Sequence, residues 1–215
     1  KIENLSNSQD TQLLQKALNE DSETVDIHHA GTAMRFLTSF YAIQEGRKTI
    51  LTGSERMKQR PIKPLVDALR ELGAEINYLE NEGFPPLEIH GKRIEKNFVK
   101  IPANISSQFI TSLLLIGASL ENGLEIELKG EITSRSYIKM TLKILKDIGI
   151  ESRFERNSIK ILSSETSLYN KQLEKHFHTS KIKHYTVESD WSSASYFYSL
   201  VAIGKKKMHL KSFYA

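Results

Sequence analysis

The chain has 215 residues, of which 39% are hydrophobic, 26% are charged and none is cysteine. This composition supports a folded core and excludes disordered, collagen-like, coiled-coil and disulfide-stapled classes, as well as thiolate metal sites and a cysteine nucleophile. The longest uncharged apolar run, residues 109–120, is too short to cross a bilayer, and no apolar stretch follows residue 1. We therefore expect no signal peptide, no membrane association and a cytoplasmic location.

The charge balance is mildly basic, with 30 basic and 26 acidic side chains and a net charge of +4. Such an excess suits anionic small molecules as well as nucleic acid. The basic residues are dispersed, apart from Lys205–Lys207, and do not form a stripe with interleaved aromatics. We expect small-molecule substrates and no nucleic acid.

The first predicted element is a helix over Gln9–Leu18, with Ser8 as its N-cap. A repeating unit begins at residue 29 and ends with a two-stranded hairpin. Its predicted elements are a helix over Phe36–Ile43, a strand over Lys48–Thr52, a helix over Pro61–Leu72 closed by Gly73, and the strands Ala74–Tyr78 and Leu87–His90.

The same order of elements recurs about 75–80 residues later, which indicates an internal repeat. The second copy comprises a helix over Phe109–Leu120, a strand over Leu124–Leu128, a helix over Tyr137–Ile148, and a hairpin of Ile150–Phe154 with Ser158–Leu162. Each unit is β-α-β-α-β-β in cyclic order, an α/β design.

A third copy begins at Asp190, with a helix predicted over Ala194–Ile203 and a strand over Met208–Lys211. The polar segment Glu165–Lys183 is predicted to be a linker or a surface helix. Because the chain begins and ends within a unit, we expect a fragment truncated at both ends. We place the domain boundary so that residues 1–188 form one domain and residues 189–215 begin another.

In each copy the first helix opens with small or hydroxyl residues: Gly31-Thr32, Ser106-Ser107 and Ser192-Ser193. A helix N-terminus exposes unpaired N–H groups and a partial positive charge, so it binds phosphate or carboxylate. Simple N-capping explains each instance alone. A repeat that brings the helices together would also bring together three anion sites.

The loops after the first strand of each complete unit add cations and hydroxyls. Residues 54–61 contain Arg56, Lys58 and Arg60, and residues 133–137 contain Ser134, Arg135 and Tyr137. Arginine can grip a carboxylate or phosphate with two parallel hydrogen bonds. The alternative, a solvated surface loop, stays open on this evidence alone.

Other candidate groups carry less weight. The pairs His28-His29 and His176/His178 have no carboxylate at ligand spacing, so we expect no metal. Asp190 is a candidate base, although a cap for the helix that follows it explains it equally well. No Ser/His/Asp set, GxxxxGK loop or HExxH motif is present.

At these residues the sequence resembles the 5-enolpyruvylshikimate-3-phosphate (EPSP) synthases. The matching strings are AGTAMRF at 30–36, LTGSERMKQRPIKPLVDALRELGAEI at 51–76, SSQFITSLLL at 106–115, TSRSYIKMTLKIL at 133–145 and VESDWSSASYF at 187–197. The resemblance implies the enolpyruvyl transferase fold, an inside-out α/β barrel with two domains of three βαβαββ units whose helix N-termini face the cleft between them.

The resemblance also implies an activity, 3-phosphoshikimate 1-carboxyvinyltransferase in aromatic amino-acid (chorismate) biosynthesis. Such an enzyme transfers the enolpyruvyl group of phosphoenolpyruvate to the 5-hydroxyl of shikimate 3-phosphate, and it needs no metal or other cofactor. We expect a monomer with these two small-molecule substrates.

Residue by residue, the resemblance assigns two sets of ligands. Those matching shikimate 3-phosphate contacts are Ser106, Ser107, Gln108, Ser134 and Tyr137. Those matching phosphoenolpyruvate contacts are Gly31, Arg56 and Gln108.

The sequence departs from the family pattern at His29, Phe36 and Ser136, where Asn, Pro and Pro are usual. The family's catalytic Asp and Glu and several of its Lys and Arg ligands have no counterpart, so we expect no catalytic residue and no turnover in this chain alone. Two alternatives stay open. They are a UDP-N-acetylglucosamine enolpyruvyl transferase and a non-catalytic anion- or RNA-binding module on the same repeat.

Overall fold

A computed structural model describes residues 1–163 and 184–211. The described residues form two compact units, one of residues 8–163 and one of residues 1–7 with 184–211. The predicted linker or helix at Glu165–Lys183 lies outside the described residues.

The larger unit contains two four-stranded sheets with the same topology, which confirms the predicted repeat. The first repeat comprises β2 (Thr24–Asp26), α2 (Gly31–Ala42), β3 (Lys48–Thr52), α3 (Glu55–Lys58), α4 (Lys63–Leu72), β4 (Glu75–Tyr78) and β5 (Leu87–His90). The second comprises β6 (Phe98–Pro102), α5 (Ser107–Gly117), β7 (Leu124–Lys129), α6 (Arg135–Asp147), β8 (Ser152–Glu155) and β9 (Ser158–Ile161).

Strand order is β2-β3-β5-β4 in the first sheet and β6-β7-β9-β8 in the second. In each sheet the first two strands are parallel and the remaining pairs are antiparallel. The parallel pair requires a crossover, which α2 and α5 supply. Both helices are therefore placed to start at the same end of their sheets, where the parallel strands finish.

Packing between α2 and α5 forms the centre of the core. The hydroxyls of Ser39 and Ser112 lie 2.6 Å apart, and Ser112 Oγ donates to the carbonyl of Arg35 at 2.6 Å. Small side chains let the two helices approach, and their buried hydroxyls are satisfied by each other and by the backbone. Helix α1 (Gln9–Asn19) packs on this pair, and Tyr41 donates its hydroxyl to the Ala17 carbonyl at 2.8 Å.

Several predicted boundaries move in the structure. The first helix begins at Gly31 rather than Phe36, and the helix expected from Pro61 begins at Lys63. Residue 62 is held out of the helix because its N–H donates to the carbonyl of Gly83 at 2.9 Å. Ser8 caps α1 by accepting from the Thr11 N–H, as predicted.

The smaller unit contains a parallel pair, β1 (Ile2–Glu3) with β10 (Tyr185–Thr186), and the helix α7 (Trp191–Gly204). This pairing joins residues 184–188 to the start of the chain, which the sequence also placed in one domain, and the boundary predicted at residue 189 stays a prediction. The strand predicted over Met208–Lys211 is wrong, because those residues pair with no strand in the described part of the chain.

Candidate functional site

Helix α2 begins without a side-chain cap. Its N-cap is Ala30, whose methyl group accepts no hydrogen bond. In the described part of the chain, no acceptor receives the N–H groups of Gly31, Thr32 and Ala33. Unsatisfied first-turn donors and the helix dipole together favour an anion at this point.

The start of α5 lies beside the start of α2. Gln108 Nε2 donates to Thr32 Oγ1 at 3.1 Å, across 76 residues of sequence. Ser106 is the N-cap of α5 and accepts weakly from the Gln108 N–H at 3.4 Å. Ser106 is exposed, and Ser107 and Gln108 are half-buried. The starts of α2 and α5, which carry Gly31 and Gln108 of the residues assigned by resemblance, therefore lie side by side.

Helix α6 brings the other two residues assigned to shikimate 3-phosphate. Ser134 is its N-cap, and the hydroxyl caps no backbone N–H. Tyr137, in the first turn, is 58% exposed. The hydroxyls of Thr111 and Thr141, 3.2 Å apart, tie α6 to α5. Two neighbouring helix N-termini thus present hydroxyl groups to solvent.

Arg135 contacts its own repeat, although its loop suggested that it could bind an anion. Its guanidinium donates to the Arg156 carbonyl at 3.2 Å and lies 4.8 Å from the centre of the Phe154 ring. These contacts fix α6 to the β8–β9 hairpin, so this arginine is engaged within its own repeat.

The loop at residues 54–61 is anchored beside the start of α2. Ser54 donates its N–H to the His28 carbonyl at 3.0 Å, and its hydroxyl lies 2.7 Å from His29 Nδ1. Lys58 is neutralised by Glu80 at 2.8 Å, a hydrogen bond that raises the lysine pKa. Arg56 is exposed on α3 and forms no ion pair within residues 1–163 and 184–211.

Sequence reasoning assigned no role to Arg35 and named Arg60 only as one of the cations of its loop. The structure places the two together at Gly31. Arg35 is 5% exposed, donates from Nη1 to the Gly31 carbonyl at 2.7 Å, and leaves its buried Nε without a partner. A methyl group on Gly31 would lie 2.0 Å from Arg60 Nη1 and 2.9 Å from Arg35 Nη1. Two guanidinium groups therefore flank the uncapped start of α2.

Burial and the nearby Arg60 charge lower the pKa of Arg35 to about 10. Desolvation disfavours a cation, and a second cation disfavours it further. One feature of the sequence points to this residue, because Arg35 is the single charged residue in α2 (Gly31–Ala42). A lone charge in an otherwise apolar helix indicates a buried functional group or a paired one.

The third predicted anion site is already occupied by the chain itself. The Asp190 carboxylate accepts from the N–H groups of Ser192 and Ser193, each at 3.0 Å, and from the Ser193 hydroxyl at 2.7 Å. These hydrogen bonds, led by the Ser193 hydroxyl, lower the Asp190 pKa. The capping interpretation of Asp190 is confirmed, and α7 has no vacant N-terminal donors in its first turn at these positions.

His28 and His29 belong to no cluster of metal ligands in the part of the chain that the structure describes. Their ring centroids lie 4.2 Å apart, and no group of three or more His, Cys, Asp or Glu residues there is arranged to hold a metal. His176 and His178 lie outside the described residues. Among the helices of residues 1–163 and 184–211, none is long and apolar enough to span a membrane.

Comparison with known proteins gives consistent matches. The sequence model of the EPSP synthase family, 3-phosphoshikimate 1-carboxyvinyltransferase, matches residues 2–214. A 3-phosphoshikimate 1-carboxyvinyltransferase of Bacteroides fragilis is 48% identical over 202 residues, which cover 94% of this chain and 46% of that protein. The enzyme of that name from Haemophilus influenzae is 44% identical, over 88% of this chain and 42% of its own length.

Among solved structures, an EPSP synthase from Acinetobacter baumannii matches 94% of this chain and 47% of its own, with a TM-score of 0.72 and 20% identity. A second structure of EPSP synthase from that organism matches with a TM-score of 0.63 and 22% identity. At this identity the likeness concerns the fold, and it confirms the predicted enolpyruvyl transferase architecture. The chain spans about half the length of the curated relatives that it matches.

Proposed function

The chain belongs to the EPSP synthase family, and we propose that it is part of a longer enzyme that joins phosphoenolpyruvate to shikimate 3-phosphate. In that reaction the 5-hydroxyl of shikimate 3-phosphate takes the enolpyruvyl group, and inorganic phosphate leaves. The family match favours this reaction over transfer to a nucleotide sugar, and no contact in the described residues favours RNA.

The observation that carries the proposal is the meeting of α2 and α5 at the Gln108–Thr32 hydrogen bond of 3.1 Å. Two polyanionic substrates must lie side by side, and their mutual repulsion must be offset by fixed donors and cations. The uncapped start of α2 and the hydroxyl-lined starts of α5 and α6 supply such donors on adjacent helices. Holding both substrates there removes much of the entropic barrier to their reaction.

Within this arrangement the residues divide between the substrates. Shikimate 3-phosphate binds to the hydroxyl and amide side chains at the starts of α5 and α6: Ser106, Ser107, Gln108, Ser134 and Tyr137. Phosphoenolpyruvate takes the α2 side, where Gly31 allows close approach to the backbone and Arg56 supplies charge. Gln108 serves both substrates, because its side chain already reaches across to α2.

Catalysis requires parts of the longer enzyme that lie outside this chain. We propose that the general acid and base come from those parts, that residues 1–188 and 189–215 contribute to different domains, and that the whole enzyme acts as a cytoplasmic monomer. The 215-residue chain then binds shikimate 3-phosphate weakly and turns nothing over.

Titration of the chain with shikimate 3-phosphate, followed by backbone amide NMR, tests this function. We expect shifts clustered at Ser106–Gln108, Ser134 and Tyr137. Ser106→Ala should weaken binding, whereas Ser119→Ala, in the exposed turn that follows the other end of α5, should not. Equal affinities for the two variants, or shifts scattered over both sheets, would contradict the assignment of this surface to shikimate 3-phosphate.

A second measurement separates binding from chemistry. Phosphate release from the two substrates should be detectable for the longer enzyme and absent for the 215-residue chain. Turnover by the chain alone would overturn the proposal that the acid and base lie elsewhere.

A further inference from the structure

Two arginines stand at the start of α2 without any counter-charge. In the described residues Arg47 pairs with Asp21 and Arg93 with Glu121, but neither Arg35 nor Arg60 forms an ion pair. Arg35 is almost fully buried, and its Nε has no hydrogen-bond partner. A buried cation that has no ion pair and is not fully hydrogen-bonded destabilises the fold, and an external anion would offset that cost.

Several donor groups beside this pair attract negative charge. The N–H groups of Gly31, Thr32 and Ala33 lack acceptors in the described part of the chain. The Arg60 guanidinium lies against Gly31 at the position that a Cβ would fill. Lys58 of the same loop does not add to this positive charge, because it pairs with Glu80 at 2.8 Å.

We propose that Arg60 is a second arginine of the phosphoenolpyruvate site, binding an anionic group of that substrate together with the first-turn N–H groups of α2. Arg35 is a positioning residue, which holds the Gly31 carbonyl and keeps the site positive from beneath. This inference rests on the proposed function for the identity of the ligand. The site is suited to a small phosphate or carboxylate group, and phosphoenolpyruvate carries both.

The exposed Arg60 side chain is suited to this role because it is free to turn toward a ligand while its backbone is fixed. Its N–H donates to the Met57 carbonyl at 3.0 Å, which holds the loop. A planar guanidinium can lie flat on the Gly31 backbone and still offer two parallel donors to an anion. An ammonium group lacks that geometry, so lysine is a poor substitute here.

Gly31 and Arg60 are therefore coupled. A Cβ at residue 31 would lie 2.0 Å from Arg60 Nη1 and 2.8 Å from its Cζ, so Gly31→Ala must displace the guanidinium. That clash is with the far end of a flexible, exposed side chain, whereas the same Cβ would lie 2.9 Å from Nη1 of the buried Arg35, a milder contact that stays when Arg60 is replaced. The substitution should consequently act on the ligand through Arg60 more than on folding.

The test is a phosphoenolpyruvate titration of the 215-residue chain, followed at the amides of residues 31–33 and at the arginine Nε–H groups. We expect shifts at these amides and at Arg60, and a loss of affinity of about tenfold for Arg60→Gln. Arg153→Gln is the matched control, because it removes the same charge from an exposed strand of the other repeat. It should change affinity by less than about twofold, the effect of net charge alone.

A double-mutant cycle sharpens the result. Gly31→Ala should weaken binding more when Arg60 is present than in Arg60→Gln, where the guanidinium is already lost and only the close approach to Arg35 remains. Additive effects would overturn the coupling. Titrations with inorganic phosphate and with acetate tell which group of phosphoenolpyruvate Arg60 binds. If phosphate shifts the amides of residues 31–33 at lower concentration than acetate does, Arg60 binds the phosphate group, and the reverse order indicates the carboxylate.

Failure of this inference and failure of the proposed function give different results. If Arg60→Gln weakens phosphoenolpyruvate no more than Arg153→Gln, or if residues 31–33 respond to none of the three anions, the role of Arg60 is refuted. Shikimate 3-phosphate binding at Ser106–Gln108 and turnover by the longer enzyme would be unaffected by that outcome.

Discussion

Two buried tyrosine hydroxyls allow hydrogen bonding to be separated from ring packing. The Tyr41 side chain is fully buried, and its hydroxyl donates to the Ala17 carbonyl at 2.8 Å. That carbonyl lies in the last turn of α1, where helix carbonyls lack intrahelical partners. The Tyr78 hydroxyl is also buried but has no partner, and burial raises its pKa to about 12. Removing the Tyr41 hydroxyl should therefore lower stability, whereas removing the Tyr78 hydroxyl should not.

Tyr41→Phe removes a neutral hydrogen bond and leaves the Ala17 carbonyl buried without a donor. We expect the free energy of unfolding to fall by about 1–2 kcal/mol, from roughly 1 kcal/mol for the bond plus part of the desolvation of the carbonyl. In a chain of this size such a loss lowers Tm by roughly 2–8 °C. Tyr78→Phe removes a hydroxyl that was desolvated without compensation, so stability should stay within about 0.5 kcal/mol or rise.

Urea unfolding of the 215-residue chain, monitored by far-UV circular dichroism, measures both changes. The two variants remove the same atom, so ring volume and side-chain entropy cancel in the comparison. Equal losses for the two variants would refute the reasoning, since the presence of a partner would then make no difference. A change in the urea m-value would indicate instead that the substitution had altered the compactness of the native or the denatured state.

Three further predictions concern charge, pH and backbone geometry. Arg35→Met should raise the free energy of unfolding by about 1 kcal/mol or more, because it replaces a buried cation that has no ion pair by an apolar chain of similar length. In thermal scans, added phosphate should stabilise the unaltered chain more than this variant. The Asp190 pKa is lower in the folded chain than in the unfolded one. The stability that its capping of α7 contributes is therefore present above the unfolded pKa and is lost as pH falls through the folded pKa. An NMR titration of the carboxyl carbon that gave an ordinary pKa for Asp190 would contradict this. Gly123→Ala should destabilise much more than Gly46→Ala in urea unfolding, although both glycines have positive φ, because a Cβ at Gly123 would lie 2.2 Å from the Ile161 carbonyl oxygen and one at Gly46 meets nothing within 4 Å. Similar losses of about 1 kcal/mol at both positions would show that backbone conformation alone sets the cost.

The repeat could be read from the sequence because its signals are local. Apolar periodicity, the capping hydroxyl of Ser8 and the left-handed Gly73 at the end of α4 each act within a few residues. The strands Lys48–Thr52 and Leu87–His90 formed at the predicted bounds for the same reason. The helix starts at Gly31 and Arg135 were placed too late, because the first turn of each helix carries residues that the apolar pattern does not mark.

The family strings could also be read from the sequence alone, and they named residues that the fold then brought to adjacent helices. Ser106, Gln108 and Ser134 occur in these strings, and each lies at the start of α5 or α6. Their assignment to a substrate remains a prediction. What the strings could not disclose is which helix starts are vacant. Asp190 fills the donors of α7, whereas Ala30 leaves those of α2 unfilled.

Tertiary structure alone decided the arrangement around Gly31. Thr32 and Gln108 are 76 residues apart in the chain and meet only because α2 and α5 cross over equivalent parallel strands. Arg35 and Arg60 belong to different elements, and their approach to the same glycine depends on how the loop after β3 folds back on the start of α2. Local sequence determines which segments become helices and strands, because those preferences act over a few residues. The distances between charges from separate segments, and hence the electrostatics of the site, are set only when the whole core is packed.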